Sequence, residues 1–323
     1  CSDGEADMKL NSFWLWAALI AIAGAALTIF DVIVINKFIY FASYVVLQYV
    51  ILATAWNIMG GYMGYVNFGS AGFFAVGAYS SVVMYKLIQA PLLLMIPISG
   101  IVCALLGLAM GYLTLRLRGV FFAIATLAMA IVLETLITNW EYVGGASGAY
   151  VLRPRTIEPF GDYIEFLFFV MLILAIFAVA VARWIERSKI GRGFSAIRDD
   201  ELAAECTGVP TLRLKLLATT VSGFLMGIAG APFAMYVSFV EPASAFNLVY
   251  AVNSIAMPMI GGATTWLGPL IGALLLGTVQ QVATVTISSE LNLLIVGVLL
   301  VFFVIAAPDG IVGLFRKWRG GKK

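Results

Sequence analysis

The chain has 323 residues, 62% of them hydrophobic and only 11% charged, with a mean hydropathy of +1.02; these values exclude a soluble globular domain and mark an integral membrane protein. Nineteen Lys and Arg against seventeen Asp and Glu leave a net charge of +2, too little for nucleic-acid binding. The sequence contains no histidine, which rules out His-based metal sites, Ser-His-Asp triads and imidazole proton relays. Cys1, Cys103 and Cys206 lie too far apart for a disulfide framework or a zinc spacing.

Residues 1–12 are polar and acidic and are expected to form a cytoplasmic tail; Met8 is an alternative start, and a chain that crosses the bilayer many times has no need of a lipid on Cys1. Apolar stretches near the roughly 20 residues needed to cross hydrocarbon follow at 13–30, 38–58, 65–85, 92–113, 120–138 and 163–183. After the charged interval 184–215 come 216–237, 247–262, 266–287 and 291–307, the second of these short and carrying Asn253 and Pro258. The sequence therefore predicts an all-α membrane protein of about ten helices: six in 13–183, four in 216–307, and a basic tail over 308–323. Ten spans consume about 200 residues, which leaves no room for a soluble catalytic domain.

Basic residues set the orientation. Seven (Arg183, Arg187, Lys189, Arg192, Arg198, Arg213, Lys215) lie in the central interval and its flanks, and five (Arg316, Lys317, Arg319, Lys322, Lys323) end the chain. Both groups belong inside, and the four crossings between them agree with this. Six crossings backwards put the N-terminus inside and Arg116 and Arg118 inside, with Arg153 and Arg155 outside in the 139–162 connection, where Pro154 and Pro159 oppose a helix. Trp14, Trp16, Trp56, Trp140, Trp184, Trp266 and Trp318 all fall near span ends, as an interfacial belt requires. Gly107/Gly111, Gly223/Gly227 and Gly268/Gly272 have helix-packing spacing, and Gly60-Gly61 and Gly261-Gly262 hint at a duplication.

Within the central interval Asp199 and Asp200 suit a helix N-terminus, and Gly208-Val209-Pro210 stops the helix about two turns later. Leu202 and Cys206 share one face at i,i+4, as do Glu201 and Glu205, so the spacing predicts a short helix with an apolar stripe beside an acidic one, suited to a groove on another protein. Asn67 and Ser70 bring polar groups into an apolar span beside Phe68, Phe73 and Phe74, which points either to a cavity or to a capped, broken helix. Asn57, Thr126 and Asn253 are further path candidates, or interhelical hydrogen bonds. Glu134 is the one acid well inside a span, a coupling site for an ion-driven carrier or a snorkelling side chain. Gly145-Ala146-Ser147-Gly148 mimics an intramembrane protease motif but has no base to take the serine proton, and no phosphate-binding loop is present for ATP hydrolysis.

Glu201, Ala203, Ala204 and Gly208 resemble the Glu-Ala-Ala…Gly coupling loop of ABC importer permeases. The longer string Gly193…Ala196-Ile197-Arg198-Asp199…Ala203-Ala204-Glu205…Gly208 resembles the branched-chain amino acid class. So do Gly64-Tyr65-Val66-Asn67-Phe68-Gly69-Ser70-Ala71-Gly72-Phe73-Phe74, Leu117-Arg118-Gly119-Val120-Phe121-Phe122, Gly144-Gly145-Ala146-Ser147-Gly148 and Pro308-Asp309-Gly310, in the family's order from about residue 57 to 315. Many relatives carry His or Gln near Ser70, and this chain does not.

The resemblance implies a fold similar to the cobalamin-type (type II) importers and a permease subunit in the bacterial inner membrane with both termini cytoplasmic. It implies two cytoplasmic ATPase subunits docked through Asp199, Asp200, Glu201, Ala203, Ala204, Glu205 and Gly208, a second permease, identical or homologous, and a periplasmic solute-binding protein. ATP and Mg would sit on the ATPases, with no cofactor or metal in this chain. Hydrophobic amino acids are the expected cargo, with urea, short amides or small organic acids as alternatives; an ion-coupled carrier using Glu134 is the rival.

Overall fold

A computed structural model describes residues 38–114, 117, 119–152 and 162–286, together with 294, 297, 298, 301 and 310–314. The predicted N-terminal tail, the C-terminal tail apart from 310–314, the span at 13–30 and most of that at 291–307 fall outside the described residues, as do Arg116, Arg118, Arg153, Arg155, Pro154, Pro159, Trp14, Trp16 and Trp318.

Among the described residues eight helices are long and apolar enough to cross a membrane. They are α1 (Phe38–Met63), α2 (Ser70–Ile88), α3 (Leu92–Thr114), α4 (Val120–Thr138), α5 (Tyr163–Arg187), α8 (Thr211–Val237), the short α9 (Pro242–Ala245) together with α10 (Leu248–Gly261) across a break at Phe246 and Asn247, and α11 (Leu267–Thr286). Between α5 and α8 lie two shorter helices, α6 (Lys189–Asp199) and α7 (Glu201–Cys206). The eight spans fall on the eight apolar stretches predicted between 38 and 287, so the all-α membrane class holds.

Helices α1 and α8 are buried round most of their circumference, apolar on most faces but also enclosing Gln48, Asn57 and Lys215. Helix α8 packs chiefly on α3 and α2, and α1 packs on α5, α8, α10 and α11. Small residues set how close these helices come. A Cβ on Gly77 of α2 would lie 2.4 Å from the Gly227 carbonyl of α8, and one on Gly227 would lie 2.6 Å from Cys103 Cβ of α3, so both seams are backbone against backbone. Pro97, Pro232 and Pro258 sit inside α3, α8 and α10, tolerated because neighbouring helices enclose the freed carbonyls. Helix α4 is the exception, with most of its surface uncovered by the rest of the chain.

The two ends differ. Arg183, Arg187, Lys189, Arg192, Arg198, Arg213 and Lys215 gather where α5 ends, α6 and α7 lie and α8 begins, the basic end. At the opposite end β1 (Ala149–Tyr150) pairs antiparallel with β2 (Phe239–Val240) in a ribbon that the apolar pattern did not announce. The Gly-Gly-Ala-Ser-Gly block is what turns the chain into it: Gly144, Gly145 and Gly148 have φ of +100°, +52° and +74°, a region open to glycine, around two short 3-10 turns. Ser147, exposed in this turn, has no protease role to play.

Trp140 and Trp184 are exposed near span ends, as an interfacial belt requires, whereas Trp56 and Trp266 are buried. Trp56 Nε1 donates to the Asn67 carbonyl at 2.9 Å, so its indole pins the α1–α2 connection from inside. The two Gly-Gly pairs also differ in role. Gly60-Gly61 lies in the last turns of α1, while Gly261 closes α10 and Gly262 turns the chain at φ +120°.

Candidate functional site

The predicted helix in the central interval is present, shorter and differently aimed. Ser188 caps α6 by accepting from the Ile190 and Gly191 amides at 3.1 and 3.3 Å, and Phe194 and Ile197 bury its apolar face. Asp199 is the last residue of α6, not a cap of the next helix. Asp200 caps α7, its Oδ1 accepting from the amides of Leu202 and Ala203 at 2.9 and 3.1 Å. Gly208, at φ +85° with nothing within 4 Å of a Cβ, ends the segment in the left-handed region, its amide bonded to the Glu205 carbonyl at 3.0 Å.

The faces of α7 are the reverse of a uniformly outward pair of stripes. Leu202 is 59% exposed, and Ala203 and Cys206 are exposed beside it, while Ala204 is buried. Glu201 turns inward to Lys215, and Glu205 accepts from Thr211 Oγ1 at 2.8 Å. The helix therefore presents Leu202, Ala203, Cys206 and the exposed Glu205 outward, while Glu201 and one oxygen of Glu205 hold it to the start of α8.

Two charged clusters brace the basic end, and sequence spacing showed neither. Lys215 Nζ pairs with Glu201 and donates to Tyr65 Oη at 2.7 Å; Tyr65 in turn donates to the other oxygen of Glu201, and Lys215 also sits 4.5 Å from the Tyr65 ring centroid. The side chains of Lys215 and Glu201 are 3% and 14% exposed. In the second cluster Glu186 accepts from the Trp266 amide at 2.6 Å and from Tyr62 Oη at 3.3 Å, with the Arg183 guanidinium 5.0 Å from the centre of the Trp266 ring. Directly bonded members of these clusters lie up to 150 positions apart, which is why no local pattern reveals them. Helix α6 did have a local signal: Ile190, Phe194 and Ile197 at helical spacing after the capping Ser188.

The path candidates scatter over several environments. Asn67 is buried just before α2, where its Oδ1 accepts from the Gly69 amide at 2.7 Å, and Ser70 Oγ bonds the Asn67 carbonyl at 3.3 Å and Ser254 Oγ at 3.0 Å. The first is a side-chain turn just before α2, whose N-cap Gly69 has no side-chain cap, and the last ties α2 to α10. Phe73 is packed in the core, its carbonyl accepting from the Cys103 thiol at 3.3 Å. Thr126 accepts from the Phe68 amide at 3.1 Å and donates to the Ala123 carbonyl at 2.8 Å, tying α4 to the connection. Asn57 donates to the Thr265 carbonyl at 3.3 Å, and Asn253 accepts from Gln280 at 3.0 Å. Asn57 Oδ1 and Asn253 Nδ2 are buried without a partner among the described residues, so these two retain polar capacity inside the helix bundle. Glu134 is half-buried on α4.

Phe68 alone of these lines a chamber of about 550 Å³ at the basic end, bounded by Met63 to Val66 of the α1–α2 connection, Gly119, Val120 and Ala123 at the start of α4, and Ile197, Arg198 and Glu201 of α6 and α7. A second cavity, about 300 Å³ and almost wholly apolar, lies between α1, α5 and α11. The first lies beside α7, whose Glu201 forms part of its wall.

Residues 38–304 match the family described as branched-chain amino acid transport system permease components, and the chain belongs to that family. It is 30% identical over 293 residues to the high-affinity branched-chain amino acid transport system permease protein LivM of Escherichia coli K12, covering 83% of this chain and 68% of that protein. It is 21% identical over 294 residues to the permease protein LivH of the corresponding Salmonella typhimurium system, covering 82% and 91%. A probable branched-chain amino acid transport permease protein LivH of Methanocaldococcus jannaschii is 23% identical over 265 residues, covering 77% and 83%. No solved structure matches the chain.

Proposed function

We propose that this chain is the membrane-spanning subunit of an ATP-driven importer that moves branched-chain or other hydrophobic amino acids across the bacterial inner membrane by alternating access. The observation that carries it is α7: a capped helix at the basic end whose outward face is Leu202, Ala203 and Cys206, joined inward to a chamber at the mouth of the bundle. ATP hydrolysis belongs to two separate cytoplasmic ATPases, which bind ATP and Mg and dock on the 199–208 segment. A second permease and a periplasmic binding protein complete the assembly, and the binding protein selects the solute.

Gathering of the basic side chains at one end supports placing that end in the cytoplasm. Gly310 lies against Gly262 at this end, where a Cβ on Gly310 would be 2.5 Å from Gly262 Cα. That position supports a return crossing by 291–307, hence ten spans with the one at 13–30, both termini inside, and an arrangement of the cobalamin-importer type. Glu134 lies on the span least covered by the rest of the chain, a poor place for a coupling carboxylate that must alternate between two aqueous faces.

Leu202→Asp and Gly208→Val test the docking helix. The first charges the outward face, and the second forces a β-branched residue to φ +85° at a cost of about 1–3 kcal/mol. Both should insert in the membrane normally but lose ATPases on purification and lose uptake. Full retention of ATPases and uptake by both variants would remove α7 as the docking element.

A further inference from the structure

We propose that Glu201, Lys215 and Tyr65 form a latch that carries movement of α7 into the chamber wall, so that Tyr65, a buried residue outside α7, couples ATP use to solute passage. The inference rests on the permease function above and adds the route by which the docked subunit reaches the path.

Three features of the geometry point to it. First, few side chains hold α7: Ala204 is its one buried side chain, Leu202, Ala203 and Cys206 face outward, and beside the Glu201 pair the Glu205–Thr211 bond ties it to the start of α8. Attachment through dispersion is correspondingly small, so the directional contacts dominate. Second, the pair is shielded, with Lys215 at 3% and Glu201 at 14% exposure. A shielded charge cannot be left behind when its partner moves, because an uncompensated charge in a low-dielectric site is strongly destabilised; the two must travel together or exchange partners. Third, the elements on the two sides of the latch differ in freedom. Lys215 is one turn into α8, the helix sealed against α2 and α3 by glycine seams. Tyr65 lies in the non-helical stretch between α1 and α2, and its ring meets Phe122 of α4 edge-on at 5.2 Å.

Tyr65 and Glu201 both line the chamber, across from Val120 and Ala123 of α4. Displacing α7 therefore shifts Glu201 against a fixed ammonium, and the Tyr65 hydroxyl, which donates to Glu201 and accepts from Lys215, must follow or switch to one partner. Either response moves the aromatic ring against Phe122 and changes the chamber's width at the start of α4. The part of the helix that meets the ATPase is thus separate from the part that reads its movement.

The test uses the complete importer, with both permeases, the ATPases and the binding protein, reconstituted in proteoliposomes. Tyr65→Phe removes the hydroxyl and keeps the ring against Phe122, so the chain should fold and retain its ATPases. Solute imported per ATP hydrolysed should fall about tenfold, within the range of ordinary coupling free energies. Glu201→Lys and Lys215→Glu should each abolish uptake, and the two together should recover part of it, since the pair is regenerated in reverse. A Tyr65→Phe importer with an unchanged ratio of solute to ATP would overturn the latch while its retained ATPases left the permease function standing. A double variant no better than the worse single one would also count against it. If the unmodified chain retains no ATPases and transports without ATP, both the latch and the function beneath it fall.

Discussion

Glu186 offers the most direct measurement of what holds the basic end together. Its carboxylate accepts from the Trp266 amide at 2.6 Å and from the Tyr62 hydroxyl at 3.3 Å, and Arg183 is near enough to feel its charge. In Glu186→Ala the Tyr62 hydroxyl keeps an alternative acceptor, the Ala182 carbonyl at 3.4 Å. The Trp266 amide, in a buried residue, has no such replacement. A hydrogen bond to a charged acceptor contributes about 1.5–3 kcal/mol. Adding the weaker loss at Tyr62 and the loss of a nearby carboxylate by the buried Arg183 gives about 3 kcal/mol for Ala, or roughly a hundredfold in the folded-to-unfolded ratio. Gln keeps a neutral acceptor at the same reach and should cost about 1 kcal/mol. Denaturant unfolding of the purified chain in detergent micelles, followed by tryptophan fluorescence, reads both midpoints. An alanine variant as stable as the parent, or Gln and Ala variants that unfold together, would show that this carboxylate does not organise the α10–α11 turn.

Three further outcomes follow from the geometry. Cys206 is exposed and Cys103 buried, so a membrane-impermeant maleimide should modify Cys206 and spare Cys103, and a cysteine at Ser147 should react only from the opposite side of the membrane; labelling of both positions from one side would overturn the placement of the ribbon and the basic residues at opposite ends. Gly77→Val puts a branched side chain where 2.4 Å separates a Cβ from the Gly227 carbonyl, which should cost at least about 1–3 kcal/mol as overpacking and be measurable as a lowered unfolding midpoint, against little change for Gly277→Ala in α11, where a Cβ meets Val46 only at ordinary contact distances of 3.4 Å and beyond. Glu134→Gln should leave uptake intact, and a protonophore at constant ATP should not abolish accumulation; loss in both experiments would favour an ion-driven carrier.

Much of the bundle was legible in the sequence because hydrocarbon imposes a length. The stretch 120–138 matches α4 residue for residue, and 92–113 matches α3 to within one. Where the match failed, a local polar bond had intervened. The third span begins at Ser70 rather than 65 because Asn67 turns its side chain onto the Gly69 amide, and apolarity does not register that. Charge was read as a marker of sidedness, which hid α6, whose basic residues sit on a helix with a buried Phe194 and Ile197. Spacing at i,i+4 correctly grouped Glu201 with Glu205 on one face of α7, but spacing does not say which way a face points. The direction was decided by Lys215 and Thr211, on the next helix. Trp56 shows the same limit: proximity to a span end is shared by indoles that face lipid headgroups and by one that serves as an internal strut.

The uneven covering of the spans also shapes how the gene can change. Along the seams joining α2, α3 and α8 a carbon added at Gly77, Gly107, Gly223 or Gly230 collides with a main-chain atom of another helix, so a single enlargement there has no compensating substitution available nearby: a backbone cannot be trimmed. On the uncovered side of α4, Phe121, Ile124, Ile131 and Leu136 stand clear of the rest of the chain, and one bulky apolar side chain there can replace another without disturbing anything inside this subunit. Drift should therefore be frozen at the seams and permissive on α4 except where a companion subunit rests on it. A saturation library scored for uptake would map that companion's footprint as an island of intolerance on an otherwise tolerant helix.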